Sequence, residues 1–362
     1  MQIVFITPSL KTGGGNRVFI ELANRLCVEH EITILYPNNS PERHTFAVDP
    51  AVHFEMIGAL RRTKVGKLIN VFKTIRYANR KFSTACLIFT DPLFSIFSSW
   101  LRGEKKYRFI QADDYGIFDD GTLLGKGLVL KAYKFLTRRS YKSKKNRFIF
   151  NSRFVYETFC RDSGRRDIPL RIVHPSVDHS VFSTEGRTSV NTRICLVARR
   201  HPSKGLATFI DVYRNLSDRC RERIGKITLI SHDDLSAFDT AGMTIFKPES
   251  DSGVANVYRD SGIFIFPSWR EGFGLPPLEA MACGCACLVS ASGGVDEFAR
   301  QNENCLMFEP RDARGLADGL IRLLEDEPLR TRLARRGEIS TADFSWERSA
   351  RQFLDILNET DI

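Results

Sequence analysis

Short apolar runs alternate with helical stretches along the whole chain, and this alternation restricts the fold more than any other feature. In the first half the predicted strands are 3–7, 31–36, 85–89, 107–110, 148–150 and 171–173. In the second half they are 193–198, 226–230, 243–246, 262–266, 286–290 and 305–308. Because strands that alternate with helices form parallel sheets covered on both faces, each half is predicted to be α/β, with a mainly parallel, doubly wound sheet.

The length of the chain and its charge distribution predict two domains. At 362 residues the chain exceeds the roughly 250–300 residues that one hydrophobic core supports. Residues 1–178 carry 30 Lys and Arg against 16 Asp and Glu, whereas residues 179–362 carry 23 against 27. A segment poor in hydrophobic periodicity follows this change of charge. We therefore predict domains at 1–178 and 179–344, and a C-terminal amphipathic helix within 345–362 that packs back toward the first domain.

Composition favours a globular, reduced, cytoplasmic protein. The apolar stretches are far shorter than the ~20 residues that span a bilayer, and the opening QIVFITPSL has no basic segment or cleavage site typical of a signal peptide. Nine cysteines, an odd number, lie mostly in apolar segments, which indicates buried thiols. Cys283, Cys285 and Cys287 are predicted to be core residues, because no histidine or paired cysteine motif accompanies them. We predict no metal site.

Two segments, 64–82 and 126–147, supply much of the basic excess. In the first, apolar residues recur at helical spacing (Val65, Leu68, Ile69, Phe72 and Ile75) between basic ones (Lys64, Lys67, Lys73, Arg80 and Lys81). This pattern predicts an amphipathic basic helix, which either packs on the core with a solvated basic face or binds an anionic membrane surface. We expect no nucleic acid partner, because no groove-reading or base-stacking module is evident.

The run FPSWREGFGLPPLEAMACG at 266–284 places Glu271 and Glu279 on either side of a loop of glycines and prolines. The strand 262–266 ends before it, and the helix formers after it predict a helix with Glu279 in its first turn. Backbone N–H groups at such a helix start suit an anion, and a carboxylate accepts hydrogen bonds from hydroxyls. The pattern suggests a sugar and its phosphate, although it also fits a favourable first-turn acid and a solvated loop glutamate.

Four motifs together resemble family 4 of the retaining glycosyltransferases: Gly13-Gly14, HPSVD at 174–178 with Phe182, ARRHPSKG at 198–205, and the run 266–284. Their order and spacing agree along nearly the whole chain, closely in the second half. The resemblance implies a GT-B fold, in which two Rossmann-like domains face each other across a cleft. It also implies a nucleotide-diphosphate-sugar donor, retention of configuration, and a metal-independent reaction without a cofactor, in which the departing phosphate accepts the proton of the attacking hydroxyl.

The resemblance also implies roles for individual residues. Arg199 and Lys204 would clamp the donor diphosphate, and Glu279 would bind the ribose. Glu271 would lie near the hydroxyls of the donor sugar and serve catalysis. The backbone amides of the next four residues (Gly272, Phe273, Gly274 and Leu275) would hold sugar and phosphate oxygens. A glycine loop (Gly13, Gly14 and Gly15) would approach the phosphates from across the cleft.

The chain departs from the family where many members have a histidine, since it has Ala112-Asp113-Asp114 there. We hypothesise that Asp113 or Asp114 orients the acceptor; the alternative is a pair of surface turn acids. Arg17 lies one step inside the helix after the glycine loop and faces either the acceptor side of the cleft or water.

These observations predict a retaining hexosyltransferase that extends a glycan or polyprenyl-linked acceptor in cell-surface polysaccharide assembly, such as that of lipopolysaccharide. It would work in the cytoplasm or peripherally at the inner face of the cell membrane, in contact with it through 64–82 and 126–147. Two alternatives stay open. One is a sugar-nucleotide 2-epimerase with the same fold, for which we find no convincing acid and base carboxylates. The other is a non-catalytic basic protein that binds membranes or nucleic acid.

Overall fold

The computed structural model describes residues 1–42, 44–90, 94, 96–116, 127–143, 146–187 and 191–359. These residues divide into two compact units, one of Met1–Pro175 with Trp346–Ile362 and one of Ser176–Ser345. The sequence predicts divisions after 178 and 344. None of the described helices is both long enough and apolar enough to span a bilayer.

The first unit is built on a six-stranded sheet in which every strand pairing is parallel. Its strands are β1 (Gln2–Ile6), β2 (Glu31–Pro37), β3 (His53–Ile57), β4 (Cys86–Phe89), β5 (Lys105–Ile110) and β6 (Arg147–Phe150), in the order β3-β2-β1-β4-β5-β6. Its helices include α1 (Gly14–Leu26), α2 (Lys64–Lys81), α3 (Leu128–Tyr141) and α4 (Arg153–Ser163), with a short 3₁₀ turn at Ser98–Trp100. The predicted doubly wound parallel sheet is confirmed.

One predicted strand of this unit is wrong, and one strand was not predicted. The run 171–173 is not a strand, since only Ile172 forms an isolated bridge to Phe150. The strand β3 is absent from the prediction, because its sequence HFEMI mixes polar and exposed residues, as befits a sheet edge. The parallel pairing with β2 holds β3 in the sheet, since its own side chains are mostly exposed.

The second unit repeats the plan with a second parallel sheet. Its strands are β7 (Ile194–Val197), β8 (Ile227–Ile230), β9 (Thr244–Phe246), β10 (Ile263–Phe266), β11 (Ala286–Ser290) and β12 (Leu306–Phe308), in the order β12-β11-β10-β7-β8-β9. The helices are α5 (Leu206–Asn215), α6 (Asp218–Arg223), α7 (Asp251–Asp260), α8 (Leu275–Ala282), α9 (Ala313–Glu325) and α10 (Glu327–Ser340). Cys283, Cys285 and Cys287 are buried, as predicted.

The last helix of the chain, α11 (Trp346–Asn358), completes the first unit. The Phe353 ring stacks on Phe5 of β1 with 5.8 Å between centroids. The Tyr107 hydroxyl donates a hydrogen bond of 3.0 Å to the Ile356 carbonyl. Trp346 and Phe353 are fully buried, so the C-terminal helix belongs to the same core as the N-terminal strand.

Helix α2 packs on the core through Val71, Ile75 and Ala78, but leaves other apolar residues exposed. Val65, Leu68 and Ile69 are 71%, 36% and 44% exposed, respectively. The buried face also includes the polar Asn70 and Thr74. The helix therefore packs on the core with a solvated basic face, as in the first alternative, but part of the predicted apolar face lies outside the core. Membrane binding by 64–82 stays a prediction. Most of the other basic segment forms α3, and its residues 126, 144 and 145 lie outside the described residues.

Candidate active site

The predicted donor residues of the second unit lie at the carboxyl edge of its sheet. The chain runs from the central strand β7 outward through β8 and β9, then returns to β10 on the other side of β7 and continues to β11 and β12. The loops that follow β7 and β10 therefore depart in opposite directions, and such a switch point is where open α/β sheets bind ligands. Arg199 and Lys204 follow β7, and Glu271 follows β10.

Lys204 and Glu271 meet directly across this switch point. The Lys204 Nζ atom lies 2.7 Å from Glu271 Oε1, and the two side chains are 35% and 16% exposed. The Ser268 hydroxyl also donates a hydrogen bond to Glu271 Oε1. The Glu271 carboxylate is thus held in place by two donors, and the description of it as a solvated loop acid is wrong.

Backbone contacts fix the two loops that carry this ion pair. The Trp269 N–H donates to the Ser203 carbonyl at 2.7 Å. Gly205, which follows Lys204, has φ +71°, and a Cβ there would lie 2.0 Å from the Pro267 carbonyl oxygen. Only glycine allows the turn after Lys204 to approach the β10 loop so closely.

Arg199 has its own carboxylate partner after β8. Its Nε lies 3.1 Å from Asp233 Oδ2, and the Arg200 N–H donates to the same oxygen at 2.8 Å. Burial would raise the pKa of Asp233, but the hydrogen bond from Arg200 and the charge of Arg199 outweigh it and hold the pKa below its usual value. The Arg199 side chain is still 40% exposed, so it can be reached by an anion.

The neighbouring His232 is half-buried at this edge. Burial and then the charges of Arg199 and Lys247 lower the pKa of its imidazole. The neutral form of His232 is therefore favoured, mainly because burial disfavours its charged form.

The loop from Gly272 to Leu275 is held by close packing against neighbouring residues. Gly274 precedes α8 with φ +99°, a left-handed conformation that favours glycine. A Cβ on Gly294, in the 3₁₀ turn Gly294–Glu297, would lie 2.2 Å from the Gly272 carbonyl carbon and oxygen. The Phe273 ring packs against Phe298 with 5.5 Å between centroids, and Leu275 is buried. The loop backbone is thereby placed rigidly beside Glu271.

Glu279 is buried in α8, but not in its first turn. The helix begins at Leu275, with both prolines inside its first turn, so Glu279 is the fifth helical residue. The prediction of a first-turn position, stabilised by the start of the helix, is wrong. Burial and then the Glu279 charge raise the pKa of the fully buried Tyr258.

In the first unit, the glycine loop forms the start of α1. Gly13 is the residue before the helix, and Gly14 and Gly15 lie in its first turn. A Cβ on Gly13 would meet open space, whereas the Gln111 side chain donates to the Gly15 carbonyl at 3.3 Å. Two of the three glycines assigned to the loop therefore belong to the helix, which starts at Gly14.

Arg17 is buried, so its assignment to water is wrong. It is 6% exposed, its guanidinium lies 5.2 Å from the centroid of the Phe46 ring, and its Nη2 lies 3.6 Å from Glu21 Oε1. These contacts hold it within the first unit.

The two aspartates proposed to orient the acceptor are buried, and the alternative of surface turn acids is wrong. Asp114 Oδ2 lies 2.5 Å from Nη2 of Arg108, a β5 residue whose side chain is fully buried. Arg108 also donates to the Ser140 hydroxyl at 2.7 Å and lies 4.7 Å from the centroid of Tyr141. Asp113 Oδ1 accepts from the Gly116 N–H at 2.9 Å. Asp114 is therefore the counter-ion of a buried arginine, and its catalytic role stays a hypothesis.

Several polar residues at the carboxyl edge of the second sheet, the donor edge, were not predicted from the sequence. Ser203 and Ser268 tie the two central loops together, and Asp233 positions Arg199. The only available signal was position, because each follows a predicted strand by a few residues and parallel strands end at one edge.

Comparison with known proteins agrees with this arrangement. Residues 186–339 match the family model for glycosyl transferases group 1. The chain is 27% identical to D-inositol 3-phosphate glycosyltransferase of Nocardioides sp. over 218 residues, which are 52% of this chain and 48% of that protein. It is 33% identical to the Salinispora tropica protein of the same name over 120 residues, 33% and 25% of the two chains. The chain thus aligns with half or less of the length of these relatives.

Solved structures resemble the whole chain. Sucrose-phosphate synthase of Thermosynechococcus elongatus superposes with a TM-score of 0.81 at 16% identity, over 98% of both chains. WaaG, a glycosyltransferase involved in lipopolysaccharide biosynthesis, has a TM-score of 0.75 at 13% identity, over 99% of this chain and 100% of WaaG. The predicted two-domain GT-B fold is confirmed, and the second unit contains the residues that match the glycosyl transferases group 1 model.

Proposed function

We propose that the protein is a retaining glycosyltransferase that moves a hexose from a nucleotide-diphosphate sugar to a hydroxyl of a glycan or lipid-linked acceptor. The observation that carries the proposal is the Lys204–Glu271 pair at the switch point of a group 1 glycosyltransferase domain. Arg199, a second cation, lies on the same segment after β7, and its side chain is 40% exposed. Two cations beside a carboxylate suit a sugar diphosphate, whose phosphates are anionic and whose sugar offers hydroxyls.

In the proposed reaction, the bond from the anomeric carbon to the diphosphate oxygen breaks as the acceptor oxygen forms its bond on the same face. The departing diphosphate accepts the proton of the acceptor hydroxyl. Lys204 and Arg199 stabilise the negative charge that develops on the leaving group. Electrostatic stabilisation of this kind is usually the largest contribution to lowering the activation barrier. These cations supply that charge without a metal, so we expect a chelator to leave the rate unchanged.

In this scheme Lys204 pairs first with Glu271 and then with the donor diphosphate. Without a donor, Glu271 holds the ammonium group within 2.7 Å. When a diphosphate binds, it competes for Lys204, and the Glu271 carboxylate becomes available to the hydroxyls of the donor sugar. Glu279 is proposed to bind the ribose, the amides of Gly272 to Leu275 the sugar and phosphate oxygens, and the loop Gly13–Gly15 the phosphates.

Similar proteins support the classes of donor and acceptor. HepE of Anabaena, which has a TM-score of 0.74 with this chain at 15% identity, was solved in complex with UDP-glucose. A trehalose-phosphate synthase of Burkholderia xenovorans, with a TM-score of 0.72, was solved with glucose-6-phosphate. Together with WaaG they favour a nucleotide-sugar donor, a carbohydrate acceptor and a role in surface polysaccharide assembly. We propose the cytoplasmic side of the membrane as its place of action.

The test is an assay of nucleotide release. The full chain is incubated with UDP-, GDP-, dTDP- and ADP-hexoses, with and without lipid-linked acceptors, and the released nucleotide is measured. We expect release from one class of donor, faster with acceptor, and a product whose anomeric configuration by NMR equals that of the donor. An epimerised donor, or no release with any donor, would refute the proposal.

A further inference from the structure

Helix α2 presents an apolar stripe that points away from the core. Val65, Leu68, Ile69 and Phe72 follow the spacing i, i+3, i+4, i+7, which places them on one face of the helix. The first three are exposed, and Val65 is the most exposed at 71%. These exposed residues contribute little to the packing of the unit's own core.

The orientation of α2 is fixed on its opposite face, where Val71, Ile75 and Ala78 pack in the core and Asn70 and Thr74 make polar contacts. The Asn70 amide donates to the carbonyls of Asn38 and Ala59 at 3.1 and 2.9 Å. The buried Thr74 hydroxyl donates to the Asn70 carbonyl at 2.8 Å. Because the Asn70 bonds reach the loops that follow β2 and β3, rotating the helix to bury the apolar stripe would break them.

The stripe continues onto the 3₁₀ turn Ser98–Trp100. The Trp100 ring lies 5.6 Å from that of Phe72 and is 56% exposed. Phe72 and Trp100 line a shallow groove of about 480 Å³ together with Arg76, Arg80 and Arg102. An exposed tryptophan beside arginines has the amphipathic character of residues found at membrane interfaces.

The charge around the stripe has one sign. Residues 61–82 contain eight Lys and Arg and no Asp or Glu (Arg61, Arg62, Lys64, Lys67, Lys73, Arg76, Arg80 and Lys81). Lys81 forms an ion pair with Glu55 of β3, Arg61 and Arg62 precede the helix, and the others lie along it beside the apolar residues. A second copy of the same face would bring like charges together, and nucleic acid would leave the apolar stripe unmatched.

We propose that the outward face of α2, with Trp100, docks on the surface of an anionic lipid bilayer. The apolar stripe would enter the boundary between head groups and acyl chains, while the flanking cations contact lipid phosphates. The surface belongs to the first unit and does not depend on the donor site of the second. Phe135 and Leu136 of α3 are also exposed, but we assign the docking to α2, where the stripe is continuous and its orientation is fixed.

The experiment measures partition of the full chain onto vesicles by sedimentation. Vesicles of phosphatidylcholine alone are compared with vesicles that also contain phosphatidylglycerol, at low and high salt. We expect binding to the anionic vesicles that weakens with salt, and a loss of roughly tenfold or more in the double variant Val65→Glu/Ile69→Glu. The matched control is Val28→Glu/Ile339→Glu, which changes exposed residues of the same types (82% and 57%) outside α2 and should bind like the parent.

Thermal unfolding of both variants checks that these surface changes leave the fold intact. Equal binding of the Val65→Glu/Ile69→Glu variant and the parent would overturn the proposal, as would binding that does not distinguish anionic from neutral vesicles. A dimer in sedimentation equilibrium that the same variant dissociates, without vesicle binding by the parent, would instead assign the face to a second copy of the chain. Donor-dependent nucleotide release in the variant would show that the donor site is unaffected.

Discussion

Asp114 is the counter-ion of a buried arginine, and its main predicted role is structural. Its carboxylate lies 2.5 Å from the guanidinium of Arg108, which is fully buried. Replacing Asp114 by Ala would leave that guanidinium without its counter-ion, at a cost of about 3–5 kcal/mol in the free energy of unfolding. Urea denaturation measures this loss, and a change below about 1 kcal/mol would contradict the structural role.

Asp113 provides the matched control in the adjacent position. Its carboxylate accepts from the Gly116 N–H, so Asp113→Ala should remove about 1 kcal/mol. If Asp113 orients the acceptor as hypothesised, this variant should lose kcat with the natural acceptor while keeping most of its stability. Unchanged kcat in Asp113→Ala would exclude Asp113 as the residue that orients the acceptor.

Substitutions of the two glutamates of the donor edge should change different kinetic constants. Glu279→Ala should raise the KM for the donor roughly tenfold, because it removes a proposed ribose contact, with little change in kcat. Glu271→Ala should lower kcat on the order of a hundredfold, since it removes the carboxylate near the reacting sugar and frees Lys204 from its partner. The control is Glu222→Ala, an exposed glutamate of α6. Equal effects of both changes on KM alone would contradict this division.

The identity of these residues could be predicted from the sequence, but their partners could not. Glu271, Lys204 and Arg199 stand in motifs that carry a family resemblance. The pairing of Lys204 with Glu271 depends on β7 and β10 being neighbours, which joins positions 67 residues apart. Likewise, nothing local to Asp114 reveals that Arg108 points into the core.

The 3₁₀ turn Gly294–Glu297 supports the glycine loop of the donor edge. A methyl group at Gly294 would lie 2.2 Å from the Gly272 carbonyl, so Gly294→Ala must displace the loop beside Glu271. We expect a loss of about 1–3 kcal/mol in stability and a raised donor KM. The control Gly225→Ala meets nothing closer than the Arg193 side chain at 3.4 Å. Unaltered donor binding by Gly294→Ala would show that this loop does not hold the donor.

Strands with continuous apolar runs were predictable as elements, and the face of α2 was not. Strands such as Ile263–Phe266 are buried on both sides and stand out against their flanks. In α2 the apolar spacing correctly predicts a helix, but the buried face is displaced from the predicted one. Val71, Ile75 and Ala78 pack in the core and Asn70 bonds to two distant loops, whereas Val65 and Ile69 stay exposed.

The two ends of the chain share one core, which makes the first unit dependent on the last helix. Phe353 of α11 is fully buried against Phe5 of β1. Phe353→Ala should lower the free energy of unfolding of this unit by about 3–5 kcal/mol. The exposed Ile339 of α10, changed to Ala, should have little effect. Proteolysis under native conditions can assign the loss, because only fragments of the first unit should appear sooner in Phe353→Ala.

The repeated strand and helix pattern was sufficient to predict two parallel sheets, and the solved structures place them in the GT-B fold. The edge strand β3 was missed because an exposed edge carries mixed residues, and pairing with β2 stabilises it. Chemistry was predictable where it depends on motifs of the second unit. The acceptor was not, because no comparable motif in the first unit specifies it.

Titration with nucleoside diphosphates tests the donor site most directly. UDP, GDP, dTDP and ADP are titrated by calorimetry into the parent, Lys204→Ala and Lys226→Ala, the last an exposed lysine at the opposite, amino end of β8. We expect one nucleotide to bind at one site per chain, with affinity about tenfold or more lower in Lys204→Ala and unchanged in Lys226→Ala. Absence of binding by all four nucleotides, or equal affinity of Lys204→Ala and the parent, would contradict a nucleotide-sugar site at Lys204 and Glu271.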